Sequence, residues 1–319
     1  MNRSRVCLIG GTGFVGSRLA ARLLRAGHSV TVLSRDPERH KALRVMPGLT
    51  IARCDVYAGT ALADHLRGHD VVVNLVGILN ERGFGGRGFR RAHTQLTETA
   101  IDAARSIGVR RFLQVSSLGA AEDAPSHYLR SKGAAERRVR ERAGPVEWTI
   151  YRPSVIFGPG DSFLNRFAAL LAAVPWVFPL AMPDAKLQPV HVDDVVEALH
   201  RGVDGSAPSG ATLELGGPRV VTLREVVRFV ADATGQRRVI LGLPRIVSRL
   251  QAFFMDFVPG RPFSSDNYRS LTVDSVCTDD GFAALGLRAR SMEGSAPAFL
   301  NARESNARRS RWRRHAGRD

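Results

Sequence analysis

Two side chains of the sequence, Tyr128 and Lys132, could together perform proton transfer. On a helix, a spacing of four residues puts both side chains on one face, one turn apart. An ammonium group beside a phenol lowers the phenol's pKa and prepares it to donate or accept a proton. The chain has only four tyrosines and three lysines, so a chance pair at this spacing is uncommon. We interpret Tyr128 as a general acid and base, with an exposed helix-surface pair as the alternative.

A glycine-rich turn near the start of the chain has the composition of a phosphate-binding loop. The apolar run 6–9 leads directly into Gly10-Gly11-Thr12-Gly13-Phe14-Val15-Gly16, and a helical pattern follows. Gly10, Gly13 and Gly16 permit a tight turn, close approach of a pyrophosphate and close helix packing. The N–H groups of the helix start, near Phe14 and Val15, would receive the phosphates. The turn predicts dinucleotide binding, and a purely structural turn is the alternative.

The choice of dinucleotide should be decided after the second predicted strand. Ser34 takes the position at which a carboxylate would bind the ribose hydroxyls of NAD, and Arg35 follows it. An arginine there can bind a 2′-phosphate, so NADP(H) is favoured over NAD(H). Asp36, the rival acid, precedes Pro37 and is predicted to be a helix N-cap.

Further cofactor contacts are predicted at the ends of other strands. Asp55 ends the third strand, where it could reach the adenine; a turn role is the alternative. Val76 and Gly77, after the fourth strand, and Pro153, after the sixth, complete the predicted cofactor site. No metal site is predicted, because His191 and the acids that follow it fit a helix cap better than a ligand set.

The elements that must position these residues alternate between strand and helix patterns. Alternation of this kind predicts an α/β protein with a doubly wound parallel sheet. The predicted strands are 5–9, 29–33, 50–53, 71–76, 111–115 and 147–151, and the clearest helical patterns are 93–107 and 131–142. We predict a Rossmann domain over 1–155, rejoined by 190–200, and a smaller interleaved lobe over 156–300. That lobe receives two later strands, 212–215 and 238–241, and a basic, disordered tail covers 301–319.

Composition narrows the function classes. The chain has 319 residues and a net charge of +16, but its basic residues are scattered and no nucleic-acid motif accompanies them, so we expect no nucleic-acid partner. Three cysteines without metal spacing fit a reducing compartment, and we expect a cytoplasmic protein without signal peptide or transmembrane helix, with peripheral contact to the inner membrane face as an option. The apolar stripe of 246–257 is predicted to be core, with a docking surface as the alternative.

Together these motifs resemble the short-chain dehydrogenase/reductase (SDR) family. The glycine turn and Tyr128-x-x-x-Lys132 are joined by three longer stretches that resemble the atypical branch containing the nucleotide-binding accessory subunit of respiratory complex I and its bacterial relatives. These stretches are Arg152-Pro153-Ser154-Val155-Ile156-Phe157-Gly158, Asp161-Ser162-Phe163-Leu164-Asn165-Arg166-Phe167 and Gln188-Pro189-Val190-His191-Val192-Asp193-Asp194-Val195.

The resemblance implies roles for three residues. Ser117, preferred over its neighbour Ser116 after the fifth strand, would hydrogen-bond a substrate oxygen, with an ordinary turn or cap role as the alternative. Tyr128 would move the proton, and Lys132 would also bind the nicotinamide ribose. It leaves two function classes open. One is an NADP(H)-dependent oxidoreductase or epimerase-type enzyme acting on an unknown small molecule. The other is a noncatalytic, nucleotide-stabilised subunit or scaffold of a membrane complex.

Overall fold

A seven-stranded parallel sheet forms the centre of the protein, in a computed structural model that describes residues 3–81, 83–258 and 262–300. The strand order is β11-β6-β5-β4-β1-β2-β3. Its strands are β1 (Arg5–Ile9), β2 (Ser29–Ser34), β3 (Leu49–Arg53), β4 (Val71–Asn74), β5 (Arg111–Val115), β6 (Glu147–Pro153) and β11 (Ala211–Leu215). Short two-stranded pairings involve β7 (Ile156–Phe157) with β10 (Val190–His191), β8 (Val177–Leu180) with β13 (Val239–Gly242), and β9 (Lys186–Leu187) with β12 (Val221–Thr222).

Helices connect the strands and cover both faces of the sheet. They are α1 (Phe14–Arg25), α2 (Lys41–Arg44), α3 (Gly59–Leu66), α4 (Arg87–Phe89), α5 (Leu96–Ser106), α6 (His127–Arg142), α7 (Leu164–Ala173), α8 (Val192–Asp204), α9 (Leu223–Ala233), α10 (Arg245–Met255), α11 (Ser265–Ser270) and α12 (Gly281–Ala284). A 3₁₀ turn (Pro37–Arg39) and a π-helical stretch (Arg90–Gln95) complete this part of the chain. None of the helices in the described ranges is long and apolar enough to cross a bilayer.

Two apolar cores lie on opposite faces of the sheet because successive strand residues point to opposite sides. Val6 and Leu8 of β1 join the core beneath α1 and α8. Cys7 and Ile9 of the same strand join the core beneath α3 and α5. The double-sided burial explains the continuous apolar strands of the sequence and confirms the predicted doubly wound parallel sheet.

One predicted strand, 212–215, belongs to a different sheet from the one expected. It was assigned to the smaller lobe, but β11 pairs in parallel with β6 and forms an edge of the main sheet. Helix α8 supplies the crossover, since it packs on α1 and against β5 and β6 before the chain enters β11. A local strand pattern does not state which sheet the strand joins, so this assignment required the tertiary contacts.

The remaining residues build a smaller lobe with a core of its own, centred on α7 and α9. The basic tail predicted over 301–319 lies outside the described residues. The prediction that the apolar stripe of α10 is core is wrong: Ile246 is 78% exposed, Phe254 67% and Phe257 66%. The helix instead buries Ser248 and Ala252, small residues that let its backbone lie close to the lobe.

Candidate nucleotide and catalytic site

The glycine turn between β1 and α1 has the geometry of a phosphate cradle. Gly10 has a φ of +82°, and the Gly13 N–H donates to its carbonyl oxygen at 3.1 Å. A Cβ on Gly16 would lie 2.5 Å from the Gly10 oxygen, whereas a Cβ on Gly13 would meet only that oxygen, at 3.3 Å. No side chain caps α1 at Gly13. The N–H groups that a helix start leaves unpaired are therefore available to a phosphate.

The cradle lies where the strand order reverses, which is where ligands bind in open α/β sheets. β1 pairs with β2 on one side and with β4 on the other, and the chain leaves β4 through Val76 and Gly77. Val76 packs against the cradle, since a Cβ on Gly10 would lie 3.0 Å from its Cγ2. The residues after β1 and β4 thus form two walls of one crevice.

Tyr128 lies in the first turn of α6, which is held by the residue that precedes the helix and by α11. Ser126 caps the helix by accepting from the Leu129 N–H at 3.1 Å. The Asp266 carboxylate of α11 accepts from the N–H groups of His127 at 2.7 Å and Tyr128 at 3.0 Å. The smaller lobe therefore helps to hold the helix start that carries the predicted acid.

The structure brings Ser117 and Tyr128 together. Their side chains are neighbours, although they come from different elements of the fold, and the Ser117 hydroxyl donates to the Leu118 carbonyl at 3.2 Å. Burial raises the pKa of the Tyr128 phenol, and the nearby Ser117 hydroxyl opposes that rise. The net direction is opposite to the lowering that the Tyr-x-x-x-Lys pattern suggests.

Lys132 lies at the same end of the sheet, 2% exposed. Its Nζ donates to the carbonyl oxygens of Val115 at 3.1 Å and Val76 at 3.3 Å. Burial lowers the pKa of Lys132 to about 8, with the Glu136 carboxylate opposing the shift. These contacts place the ammonium between the ends of β4 and β5, close to Gly77. Lys132 is not among the groups that shift the pKa of the Tyr128 phenol.

His93 is a site neighbour that the sequence did not single out. Its Nε2 accepts from the Ile78 N–H at 3.1 Å, so the proton lies on Nδ1, which donates to the Ser131 Oγ at 2.8 Å. Its ring meets the Tyr128 ring edge-on with centroids 5.4 Å apart. Burial, and then the nearby Lys132, hold the pKa of His93 well below its usual value. Nothing in the local sequence marks this histidine.

Glu136 continues the face of α6 that carries Tyr128 and Lys132, one turn further on. Its fully buried carboxylate accepts from the Ser116 hydroxyl at 2.6 Å, and it pairs with Arg152 at 2.7 Å and Arg140 at 2.9 Å. Its spacing of four residues from Lys132 was a usable signal. The network fixes α6 against β6, and with it the positions of the residues that face the crevice.

The residues after β2 present basic groups. Arg35 is exposed, and the Arg53 Nε donates to its carbonyl oxygen at 3.4 Å. Ser34 is buried and its hydroxyl accepts from the Asp36 N–H at 3.2 Å. Asp36 does precede a 3₁₀ turn, but its side chain pairs with Arg39 at 2.9 Å instead of capping that turn. The single turn is too short to compete with an ion pair for the carboxylate.

The other predicted cofactor residues lie on the same edge of the sheet. Asp55 is exposed just after β3 and its carboxylate accepts from the Tyr57 N–H at 3.2 Å, as a turn residue does. Pro153 ends β6, buried, and its carbonyl oxygen accepts from the Leu118 N–H at 3.1 Å. This hydrogen bond from Leu118 to Pro153 ties the segment that contains Ser117 to β6.

A cavity of about 290 Å³ is lined by Phe89 and by His127, the residue before Tyr128. One wall contains Phe89, whose ring centroid is 6.0 Å from that of Tyr128. The smaller lobe supplies most of the other lining residues. The full lining comprises Asn80, Glu81, Gly83, Phe84, Phe89, His127, Phe253, Asp256, Phe257, Ser264, Ser265, Asp266 and Arg269. Its mixed apolar and polar lining is typical of a small-molecule site.

Two histidine groups outside this crevice have structural explanations. His191 caps α8 through its ring, which accepts from the Asp193 N–H at 3.2 Å. His28, His200 and Asp204 converge closely enough to hold a metal ion. However, the His28 Nδ1 accepts from the Ser4 N–H, which puts its proton on the Nε2 that faces Asp204 at 3.1 Å. A protonated nitrogen cannot ligate a metal, so this contact is a hydrogen bond.

Comparison with known proteins defines the class. The family model described as NAD(P)H-binding matches residues 10–160. The dTDP-glucose 4,6-dehydratase of Streptomyces venezuelae, solved with NAD bound, superposes with a TM-score of 0.71 over 95% of this chain and 97% of its own, at 21% identity. The fold is that of a short-chain dehydrogenase/reductase.

Two relatives locate the chain within that class. The mitochondrial NADH dehydrogenase [ubiquinone] 1 alpha subcomplex subunit 9 of Arabidopsis thaliana is 30% identical over 92% of this chain and 76% of its own length. A ceramide reductase of Caulobacter vibrioides is 31% identical over 76% of this chain and 74% of its own. The chain belongs to the atypical SDR family that includes complex I subunit 9, as the sequence motifs predicted.

Proposed function

We propose that the protein is an NADP(H)-dependent oxidoreductase in which Ser117, Tyr128 and Lys132 serve the reaction. The observation that carries this proposal is the proximity of the Ser117 side chain to Tyr128, at the end of the sheet where Lys132 is buried. A noncatalytic protein needs neither this arrangement nor a buried lysine whose pKa is lowered to about 8. The similarity to a ceramide reductase supports an enzyme, because that relative is one by name.

The described residues fit a nicotinamide dinucleotide. The open surface over Gly13 and the uncapped start of α1 suit a pyrophosphate, with Phe14 and Val15 in the first turn. Gly10 and Gly16 shape that turn, while Asp55, Val76, Gly77 and Pro153 line the same edge of the sheet. Lys132, beside Gly77, suits the nicotinamide ribose.

The bound nicotinamide would supply or accept the hydride at its C4 position. The chain's own residues handle the accompanying proton. Ser117 orients the substrate oxygen, and the Tyr128 hydroxyl donates a proton to it or accepts one from it. Phe89 and His93 enclose the phenol and keep its orientation. A raised Tyr128 pKa suits the reducing direction, in which the phenol must hold its proton until transfer.

The preference for NADP(H) is part of this proposal and predicts the effect of one substitution. We expect Arg35→Ala to weaken NADPH binding about tenfold and to leave NADH binding within about twofold, because the guanidinium would pair with the 2′-phosphate alone. Titration of both nucleotides by calorimetry checks this. Arg110→Ala, an exposed arginine before β5 at the opposite end of the strands, is the matched control. Equal weakening of both nucleotides by Arg35→Ala would contradict the assignment.

Nucleotide exchange tests the proposed function against the structural-subunit alternative. The similarity to complex I subunit 9 favours that alternative, in which the nucleotide is never released and a membrane complex is the partner. Native mass spectrometry would identify any nucleotide bound to the purified protein, and excess labelled NADPH would measure its replacement. An oxidoreductase that consumes NADPH must release the oxidised nucleotide in every cycle, so exchange must be at least as fast as turnover. Replacement slower than hours would overturn the proposal.

A cytoplasmic location and a small-molecule substrate complete the proposal. All three cysteines are free thiols, and Cys7 and Cys54 are buried, which supports a reducing compartment. The cavity lined by Phe89 and His127 supports a substrate small enough to enter it.

A further inference from the structure

Helix α10 presents its apolar face outward and its small, polar face inward. Ser248, Ala252 and Asp256 recur every four residues and form the buried side. The Ser248 hydroxyl donates to the Leu243 carbonyl at 3.1 Å and Asp256 accepts from the Ser265 N–H at 3.1 Å. The exposed side comprises Ile246, Val247, Leu250, Phe253, Phe254, Phe257 and Val258. A surface helix ordinarily has the reverse arrangement, so this face fits a partner other than water.

An exposed apolar strand pair lies next to α10. β8 pairs with β13 so that Val177 is opposite Val239 and Pro179 is opposite Leu241, and alternate residues of a strand share a face. All four are exposed, and Trp176 just before β8 is 80% exposed. The Gln251 side chain donates to the Pro179 carbonyl at 3.3 Å, which places α10 against β8.

The charged residues of α10 itself are of one sign. Arg245 and Arg249, one turn apart, flank the stripe that runs through Ile246, Leu250 and Phe253. α10 contains no acidic residue, and the Asp256 that follows it is buried. Within the described ranges, neither arginine belongs to an ion pair. An aromatic and aliphatic face flanked by arginines is the composition of a helix that lies in the headgroup region of a membrane.

We propose that α10 is a membrane-docking helix that lies flat on an anionic lipid bilayer. Ile246, Leu250 and Phe254 enter the boundary between headgroups and acyl chains, and Arg245 and Arg249 pair with lipid phosphates. Eleven residues span about 16 Å along the helix axis, enough to lie on a bilayer but not to cross it. The net charge of +16 favours an anionic surface. A second copy of this chain fits less well, because it would oppose arginines to arginines.

Vesicle sedimentation of the full chain tests the proposal. We expect binding to vesicles of phosphatidylcholine with phosphatidylglycerol, and at least tenfold weaker binding to phosphatidylcholine alone. The variant Ile246→Ser/Leu250→Ser/Phe254→Ser, which spares the cavity lining, should bind anionic vesicles at least tenfold more weakly than wild type. Arg245→Gln/Arg249→Gln should lose about fivefold per arginine. Val220→Ser and Arg25→Gln, exposed residues elsewhere, are the matched controls.

Two further readouts make the outcome decisive. Hydrogen exchange should slow in 245–258 when vesicles are added, and all variants should keep wild-type thermal stability and NADPH affinity, since the replaced side chains are exposed. Wild-type binding by the triple serine variant would overturn the proposal and assign membrane contact to the basic run 308–314. Loss of a dimer in that variant, without vesicle binding by the wild type, would overturn it in favour of a second copy.

Discussion

Replacing Tyr128 by phenylalanine is expected to lower kcat for NADPH-dependent reduction by about 10²- to 10⁴-fold, the usual contribution of a positioned general acid. Only the hydroxyl near the Ser117 side chain is removed, while the ring contacts to Phe89 and His93 remain. NADPH affinity and thermal stability should therefore stay near those of wild type. The measurement is NADPH consumption with a panel of aldehydes, ketones and sugar nucleotides.

Tyr151→Phe is the control for this change. The Tyr151 hydroxyl is buried in β6 and has no hydrogen-bond partner among the described residues, so its removal should not slow turnover. A substrate reduced equally well by wild type and Tyr128→Phe would remove Tyr128 from the mechanism. Such a result would leave the nucleotide site intact, because that assignment rests on different residues.

A methyl group at Gly16 is expected to abolish nucleotide binding and lower the melting temperature by about 5 °C or more. The new Cβ would lie 2.5 Å from the Gly10 carbonyl oxygen and 2.6 Å from the Gly11 Cα, and both are backbone atoms that move only if the turn opens. Overpacking of this kind costs about 1–3 kcal/mol, occasionally more. Thermal unfolding with and without NADPH measures both effects.

Gly13→Ala is the matched variant, since it places the same methyl group three residues earlier. Its Cβ would meet only the Gly10 oxygen at 3.3 Å, so the protein without nucleotide should melt within about 2 °C of wild type. NADPH should bind at least tenfold more weakly, because the methyl group projects from the surface that the pyrophosphate needs. If the two variants behave alike, the assignment of helix packing to Gly16 and of phosphate contact to Gly13 would be wrong.

Much of the sheet and helix α6 could be predicted because the signals are local. The apolar runs of β1 and β5 match the predicted strands, and a spacing of four residues places Tyr128 and Lys132 on one face of α6. The glycine turn could also be predicted from local sequence, because each glycine meets a backbone requirement that arises within the same seven residues.

What could not be predicted depends on distant contacts. β11 has an ordinary strand pattern, and only the packing of α8 decides which sheet it joins. The pKa of Tyr128 depends on burial that Phe89 and other distant side chains create. The stripe on α10 has the period of a core helix, and only the burial of Ser248 and Ala252 reveals that the apolar side faces outward.

The contact of Asp266 with the start of α6 connects the cavity with the position of Tyr128. The segment 264–266 lines the cavity, and Asp266 also accepts the backbone N–H groups of His127 and Tyr128. A molecule that fills the cavity would contact the residue that holds the backbone at Tyr128. In the proposed reaction, recognition of the substrate and alignment of the acid would therefore be coupled through a single carboxylate.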